Sequence, residues 1–178
     1  MRVAIIGYGF VGKALEFAIK DNVKTFKVDP KLDTKISDLV DFKPNICFVC
    51  VPTPMNDDGS QNTSILQQVI DDLLLNSISS LIILKSTILP SYVEKLKSLI
   101  PGLVHNPEFI RERHANEDFI NSKLILLGGA KESTKLAADF YNNHTKCTTT
   151  NFRFTDLVSA ALIKLSLIHI SEPTRLCR

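Results

Sequence analysis

Brief, almost wholly apolar runs alternate along the chain with stretches in which apolar residues recur every three or four positions. Arg2–Ile6, Lys24–Val28, residues 46–51 and Leu81–Leu84 are runs of the first kind and predict strands. Residues 46–51 are apolar throughout, as in a parallel sheet covered by helices on both faces. Residues 13–19, Pro90–Leu99 and residues 133–142 predict helices. So does the stripe Ile65, Val69, Ile70, Leu73 and Leu74 behind a cap at Thr63 or Ser64. A brief helix is expected around residues 36–42, ahead of the breaker Lys43-Pro44-Asn45. Further strands are expected at 102–104, at 123–127 (ended by Gly128-Gly129) and at 146–150, and a last helix opens over 154–164. Strand and helix alternate throughout. Right-handed crossovers then predict a single doubly wound α/β sheet, parallel or mostly so, with helices on both faces.

The turn after the first strand adds chemistry. Gly7-Tyr8-Gly9-Phe10-Val11-Gly12 leads straight into a helix, so strand, tight turn and helix N-terminus follow one another. That is the Rossmann-type arrangement for a dinucleotide pyrophosphate. Gly7 permits the sharp turn, Gly9 lets the backbone approach phosphate, and Gly12 lets the helix pack close to the sheet. Unpaired N–H groups at the helix start favour the anion. Asp29 ends the second strand, seventeen residues after Gly12. A carboxylate there accepts hydrogen bonds from both adenosine ribose hydroxyls and repels the extra phosphate of NADP, so NAD is the expected cofactor. The plainer reading is an ordinary turn and a strand-end acid.

In a doubly wound sheet, ligands bind outside the carboxyl ends of the strands. Four polar turns fall there: Gly7 to Gly12, Pro52 to Pro54, Lys85 to Thr87 and Asn106 to Glu112.

Composition narrows the classes of function. The 178 residues are 44% hydrophobic and 22% charged, with a net charge of +2. That gives no basis for binding nucleic acid or anionic membrane. No apolar run approaches the roughly 20 residues that span a bilayer. Cys47 and Cys50 have CxxC spacing, but within one strand period two points them to opposite faces, so core thiols are expected rather than a metal or redox pair. A reducing cytoplasm fits, and no metal site is expected.

From Leu165 the chain reads Leu-Ser-Leu-Ile-His-Ile-Ser-Glu-Pro-Thr-Arg, then Leu-Cys-Arg. Its first eleven residues resemble the in-frame translation of a transposon-end adapter used in preparing sequencing libraries. Residues 1–164 are therefore expected to form the domain, and residues 165–178 to be a non-native tail. The bland alternative is a genuine helix end and loop.

The ordered set GYGFVG, VPTP at Val51 to Pro54, KST at Lys85 to Thr87 and NPEFIRE at Asn106 to Glu112 resembles the NAD-binding domain of the UDP-glucose/GDP-mannose dehydrogenase family. Asn116-Glu117-Asp118-Phe119 and Gly128-Gly129 match too, so the resemblance covers essentially residues 1–164. It implies oxidation of the C6 alcohol of a UDP- or GDP-sugar to a carboxylate with two NAD. It also implies a nucleotide-sugar substrate and a full-length homodimer. The implied roles are specific. Gly7, Tyr8, Gly9, Phe10, Val11 and Gly12 hold the pyrophosphate, and Asp29 the ribose. Val51, Pro52 and Thr53 lie along the cofactor. Thr87 positions a water or the substrate hydroxyl beside the nicotinamide. Glu108 and Glu112 manage protons and orient water, sharing one face if that stretch is helical, and Glu112 also meets the cofactor. Phe109, Ile110 and Arg111 contact substrate, and Lys164 stabilises negative charge developing on oxygen. Taken singly, Thr87 reads equally as a helix cap, Glu108 and Glu112 as solvated acids, and Lys164 as a surface lysine.

The chain departs from the family's pattern in places. The segment between Asp29 and Ile46 is short, Arg113-His114 replaces small residues, and Ala161 stands where an acid is usual. Cys47, Cys50 and Cys147 do not match the family's nucleophilic cysteine, so the chain by itself is expected to be inactive. Competing readings are a non-catalytic NAD-binding module and an NAD-dependent hydroxy-acid dehydrogenase.

Overall fold

In a computed structural model that describes residues 1–149 and 151–171, the apolar runs form one seven-stranded sheet. The strands are β1 (Arg2–Ile6), β2 (Lys24–Val28), β3 (Ile46–Val49), β4 (Leu81–Leu84), β5 (Val104–His105), β6 (Ile125–Gly129) and β7 (Phe152–Thr155), in the order β2-β1-β3-β4-β5-β6-β7. The helices are α1 (Phe10–Ala18), α2 (Leu39–Phe42), α3 (Ser64–Leu75), α4 (Pro90–Leu99), α5 (Ala115–Ile120), α6 (Lys131–His144) and α7 (Leu157–Ser171). Residues 172–178, the second half of the suspected tail, lie outside the described residues.

Period two divides each central strand between two cores. Val3, Ile5, Ile46 and Phe48 face α1, α5 and α6, whereas Ala4, Ile6, Cys47 and Val49 face α3, α4 and α7. Burial of each large apolar side chain contributes about 1.5–3 kcal/mol. Phe48 is wholly buried, with the rings of Phe140 and Tyr141 centred 5.3 and 6.4 Å away. Cys47 and Cys50 belong to opposite cores, as the alternation predicts.

The sheet is only mostly parallel. The first five strands run together, but β5 pairs antiparallel with β6, and β7 follows β6. The reason lies in the β5–β6 connection. Its only α-helix, α5, has six residues and is about 9 Å long, too short to cross a sheet as a full crossover helix does. The connection therefore stays at the carboxyl edge of β5, and β6 descends from there. Gly128 and Gly129 close β6 beside His105 and Val104. After β7, α7 packs back over β6 and β5. A Cβ on Gly128 would sit 2.5 Å from Ala160 Cβ and 2.7 Å from Asp156 O, so the bare glycine lets α7 lie close.

Several expected boundaries move. Over its described residues 146–149 the Thr-rich segment does not form the expected last strand; β7 lies at Phe152–Thr155. Instead Lys146 N donates to Ala18 O and Thr148 N to Ile120 O, strapping the ends of α1 and α5. The last helix starts at Leu157 rather than Phe154, and β5 at Val104 rather than Gly102. At α3 neither Thr63 nor Ser64 caps through its side chain; Asn62 Oδ1 accepts from Ser64 N at 3.0 Å. Among the described residues no helix is long and apolar enough to cross a membrane.

Candidate functional site

The carboxyl ends of the first five strands open into a cleft of about 970 Å³. Strand order arranges its walls in a row: Asp29 after β2, the glycine turn after β1, Val51 to Thr53 after β3, Lys85 to Thr87 after β4, and Glu108 beyond β5. Four strand spacings of about 4.8 Å set the two ends of that row roughly 19 Å apart.

Each glycine of the turn answers to a different neighbour. Gly7 has φ +90°, and a Cβ there would meet the backbone of Cys50 and Val51 at 2.9 Å. A Cβ on Gly12 would lie 2.4 Å from Gly7 O, so Gly12 is required by packing and lies outside the cleft lining. A Cβ on Gly9 would meet nothing within 4 Å, at φ −78°. No contact within the chain asks for glycine at this cleft-lining position, beside the free N–H groups at the start of α1. An anion approaching the backbone would. Phe10 and Val11 also line the cleft.

Asp29 is held ready. Its Oδ2 accepts from Tyr8 N at 2.7 Å and its Oδ1 from Lys31 N at 2.9 Å. Tyr8 thus serves through its backbone. Its ring turns away, with the hydroxyl donating to Glu16, whose carboxylate pushes the phenol up to about 12.

The next two turns are tied together. Thr53 Oγ1 donates to Thr87 O at 2.6 Å, Gln61 Nε2 to the same oxygen at 2.8 Å, and Ser86 Oγ to Val51 O at 2.7 Å. Thr87 is not the cap of α4, a position held by Leu89. It lines the cleft half-buried, beside Val51, Pro52 and Thr53.

Glu108 and Lys164 come together from fifty-six positions apart. Lys164 Nζ donates to Glu108 O, stands 3.8 Å from Glu108 Oε1 and lies 5.1 Å over the Phe109 ring. The two side chains are only 12% and 14% exposed, so neither is a solvated surface charge. Glu108 Oε2 is buried without a hydrogen-bond partner.

Other expected residues do not join them. Residues 106–111 are not helical, so Glu108 and Glu112 share no helix face; Glu112 is exposed and opens a 3-10 turn outside the cleft lining. Arg111 is bound back to α5, its guanidinium meeting Asp118 at 2.9 and 2.8 Å and holding that carboxyl down at about 2. Phe109 and Ile110 border a small inner cavity rather than the cleft. Sequence reading missed Lys31 and Lys35 on the cleft wall near Asp29, and Gln68, Asp72 and Asn76 from α3 and its end. It also gave no role to Lys85, although an ammonium closing an apolar strand was the signal.

The three described thiols are poor nucleophiles. Burial pushes Cys47 up to about 11, Cys50 up to about 12 and Cys147 upward.

A glycine-lined helix start, a pre-bonded acid on the neighbouring strand and a cleft along five parallel strand ends define a Rossmann-type dinucleotide-binding domain. Its residues fit NAD: the Gly9 opening admits a pyrophosphate, and the carboxylate of Asp29 suits an unphosphorylated ribose. More particularly, the chain belongs to the UDP-glucose/GDP-mannose dehydrogenase family, whose NAD binding domain matches residues 15–148. It is 29% identical to the putative UDP-glucose 6-dehydrogenase YtcA of Bacillus subtilis, over 99% of this chain and 52% of that one. It is 31% identical to a UDP-glucose 6-dehydrogenase of Rickettsia bellii, over 73% of this chain and 33% of that one. The chain thus spans about half the length of the first relative and a third of the second. Its fold is that of the GDP-mannose dehydrogenase of Pseudomonas aeruginosa solved as a ternary complex, with a TM-score of 0.77 at 19% identity over 98% of this chain and 51% of that one. The UDP-D-ManNAc dehydrogenase of Pyrococcus horikoshii gives 0.76 at 19% identity, over 96% and 50%.

Proposed function

We propose that this domain serves the oxidation of the C6 alcohol of a UDP- or GDP-sugar to a uronate, in a homodimeric cytoplasmic enzyme that uses two NAD per sugar. The supporting observation is the contact of Lys164 with Glu108, which lines the cleft together with Thr87 at the end opposite Asp29. Bound NAD supplies the hydride acceptor. Asp29 accepts the ribose hydroxyls and excludes a 2′-phosphate. Thr87 Oγ1 orients the reacting hydroxyl or a water. The Lys164 ammonium stabilises negative charge growing on the oxygen, worth most where water is excluded. Glu108 takes the proton from the attacking water. The exposed Glu112 and the tethered Arg111 enter this scheme only if the stretch after Glu108 rearranges around substrate.

The reaction removes four electrons and proceeds in this family's pattern through a thiol. The described thiols of this chain are held protonated by burial. The 178-residue chain alone is accordingly proposed to bind NAD and leave sugar nucleotides unoxidised, and residues 165–178 to contribute nothing to either. The test follows NADH formation from UDP-glucose and GDP-mannose by this chain and by its uninterrupted reading frame. Turnover is expected only from the latter, slowed about 10²–10⁴-fold by Glu108→Gln, the span of general-base catalysis. Steady NADH production by the 178-residue chain, or an uninterrupted protein indifferent to Glu108→Gln, refutes the scheme.

A further inference from the structure

Two cavities meet at the carboxyl edge, and only Lys85 and Glu108 line both. The inner one, about 30 Å³, has room for a single water and is walled further by Asn106, Phe119, Tyr141 and Cys147. Lys85 is 3% exposed. Its ammonium donates to Asn106 O at 3.2 Å and Asn106 Oδ1 at 3.0 Å, lies 3.5 Å from Tyr141 Oη, and stands 5.1 Å over the Phe119 ring. The Tyr141 hydroxyl donates to Asn106 Oδ1 at 2.6 Å, and Asn106 Nδ2 to Leu126 O at 2.8 Å. All these partners are neutral. They satisfy the donors of Lys85 and leave its charge uncompensated, a costly state for a buried ammonium. Glu108 has the opposite deficit, a buried carboxylate oxygen that no donor reaches.

We propose that Lys85 and Glu108 form an ion pair across the inner cavity, and that Lys85 is a positioning residue fixing the Glu108 carboxylate at the cleft wall. The role rests on the reading of Glu108 given above; the pairing itself does not. Six titratable groups face Lys85: Cys50 at the end of β3, His105 on β5, Glu108 beyond it, Tyr141 on α6, Cys147 after α6, and Lys164 on α7. Burial holds the thiols and the phenol protonated and pushes His105 down to about 4, hence neutral. Glu108 is the one carboxyl group among the six, and Lys164 acts on Lys85 in the opposite direction. Burial lowers the Lys85 pKa, and the charge of Glu108 is the largest influence raising it.

The test labels the lysine side chains of the full 178-residue chain with ¹⁵N and follows Lys85 Nζ against pH, its signal identified by its loss in Lys85→Met. Glu108→Gln is expected to move the Lys85 midpoint down, and Glu117→Gln, at an exposed site on α5, to leave it in place. Glu108→Asp, which withdraws the carboxylate by one methylene, should give a smaller shift the same way and serves if the amide variant loses the native amide spectrum. An unmoved Lys85 midpoint in a folded Glu108 variant overturns the pairing. A purely structural lysine, bonded only to Asn106 and Tyr141, gives that result. NAD titration of the same samples separates the two proposals. A chain that binds NAD with an unmoved Lys85 defeats only the ion pair, and one that shows the shift without binding NAD defeats only the functional reading.

Discussion

Replacing Gly9 by Ala should raise stability and lower cofactor affinity at once. The new Cβ meets nothing of the chain within 4 Å, and φ of −78° suits any L-residue. Losing glycine's freedom in the unfolded chain then stabilises by about 0.4–1 kcal/mol. For a protein of this size that is roughly 1–4 °C in Tm. The same methyl group projects into the cleft where the turn faces the pyrophosphate. Pushing phosphate off the first-turn N–H groups removes charge-assisted bonds of about 1.5–3 kcal/mol each, so losing one weakens NAD binding at least tenfold. Gly12→Ala is the matched control. Its Cβ would fall 2.4 Å from the Gly7 carbonyl oxygen, and the required backbone shift costs about 1–3 kcal/mol. Thermal melts and calorimetric NAD titrations of both variants decide the matter. A Gly9→Ala protein that melts lower than the parent, or binds NAD equally well, refutes the assignment of Gly9 to the ligand.

Asp29→Ala should narrow the preference for NAD over NADP, measured as the ratio of the two Kd values. His105 should make the fold acid-sensitive. Burial lowers its pKa from 6.5 to about 4, so its stabilising neutral state is fully present above pH 6.5. That contribution is lost as pH falls from 6.5 toward 4, up to about 3 kcal/mol. Denaturant midpoints of His105→Gln should therefore vary less with pH across that window, and an unchanged slope would refute this role. Deleting residues 165–178 should leave Tm and NAD affinity unchanged, because Lys164 and the buried Ala160 and Ala161 lie ahead of the cut; a large fall in Tm would show that the tail belongs to the fold.

The first half of the sheet was legible because local signals agree there. Apolar runs, the glycine turn and Asp29 all describe parallel strands joined by helices, and the structure has them. Beyond β5 the signals concern distant partners. That β6 turns back depends on how far residues 106–124 can reach, and nothing in the apolar pattern of 123–127 records strand direction. The Thr-rich run before β7 has strand propensity, yet Lys146 and Thr148 spend their N–H groups on α1 and α5. Motif resemblance singled out Thr87, Glu108 and Lys164; spacing put Glu112 on the face of Glu108 only for a helical stretch, whereas in the structure Glu108 meets Lys164. Tyr141 carried no sequence signal, since its role exists only once α6 lies over β4 and β5.

Cofactor binding by the unmodified chain is the most direct test. Calorimetric titration of the 178-residue protein with NAD and with NADP should give saturable one-to-one binding of NAD and clearly weaker binding of NADP. An absence of saturable NAD binding, or NADP bound as tightly as NAD, would contradict the assignment of this cleft.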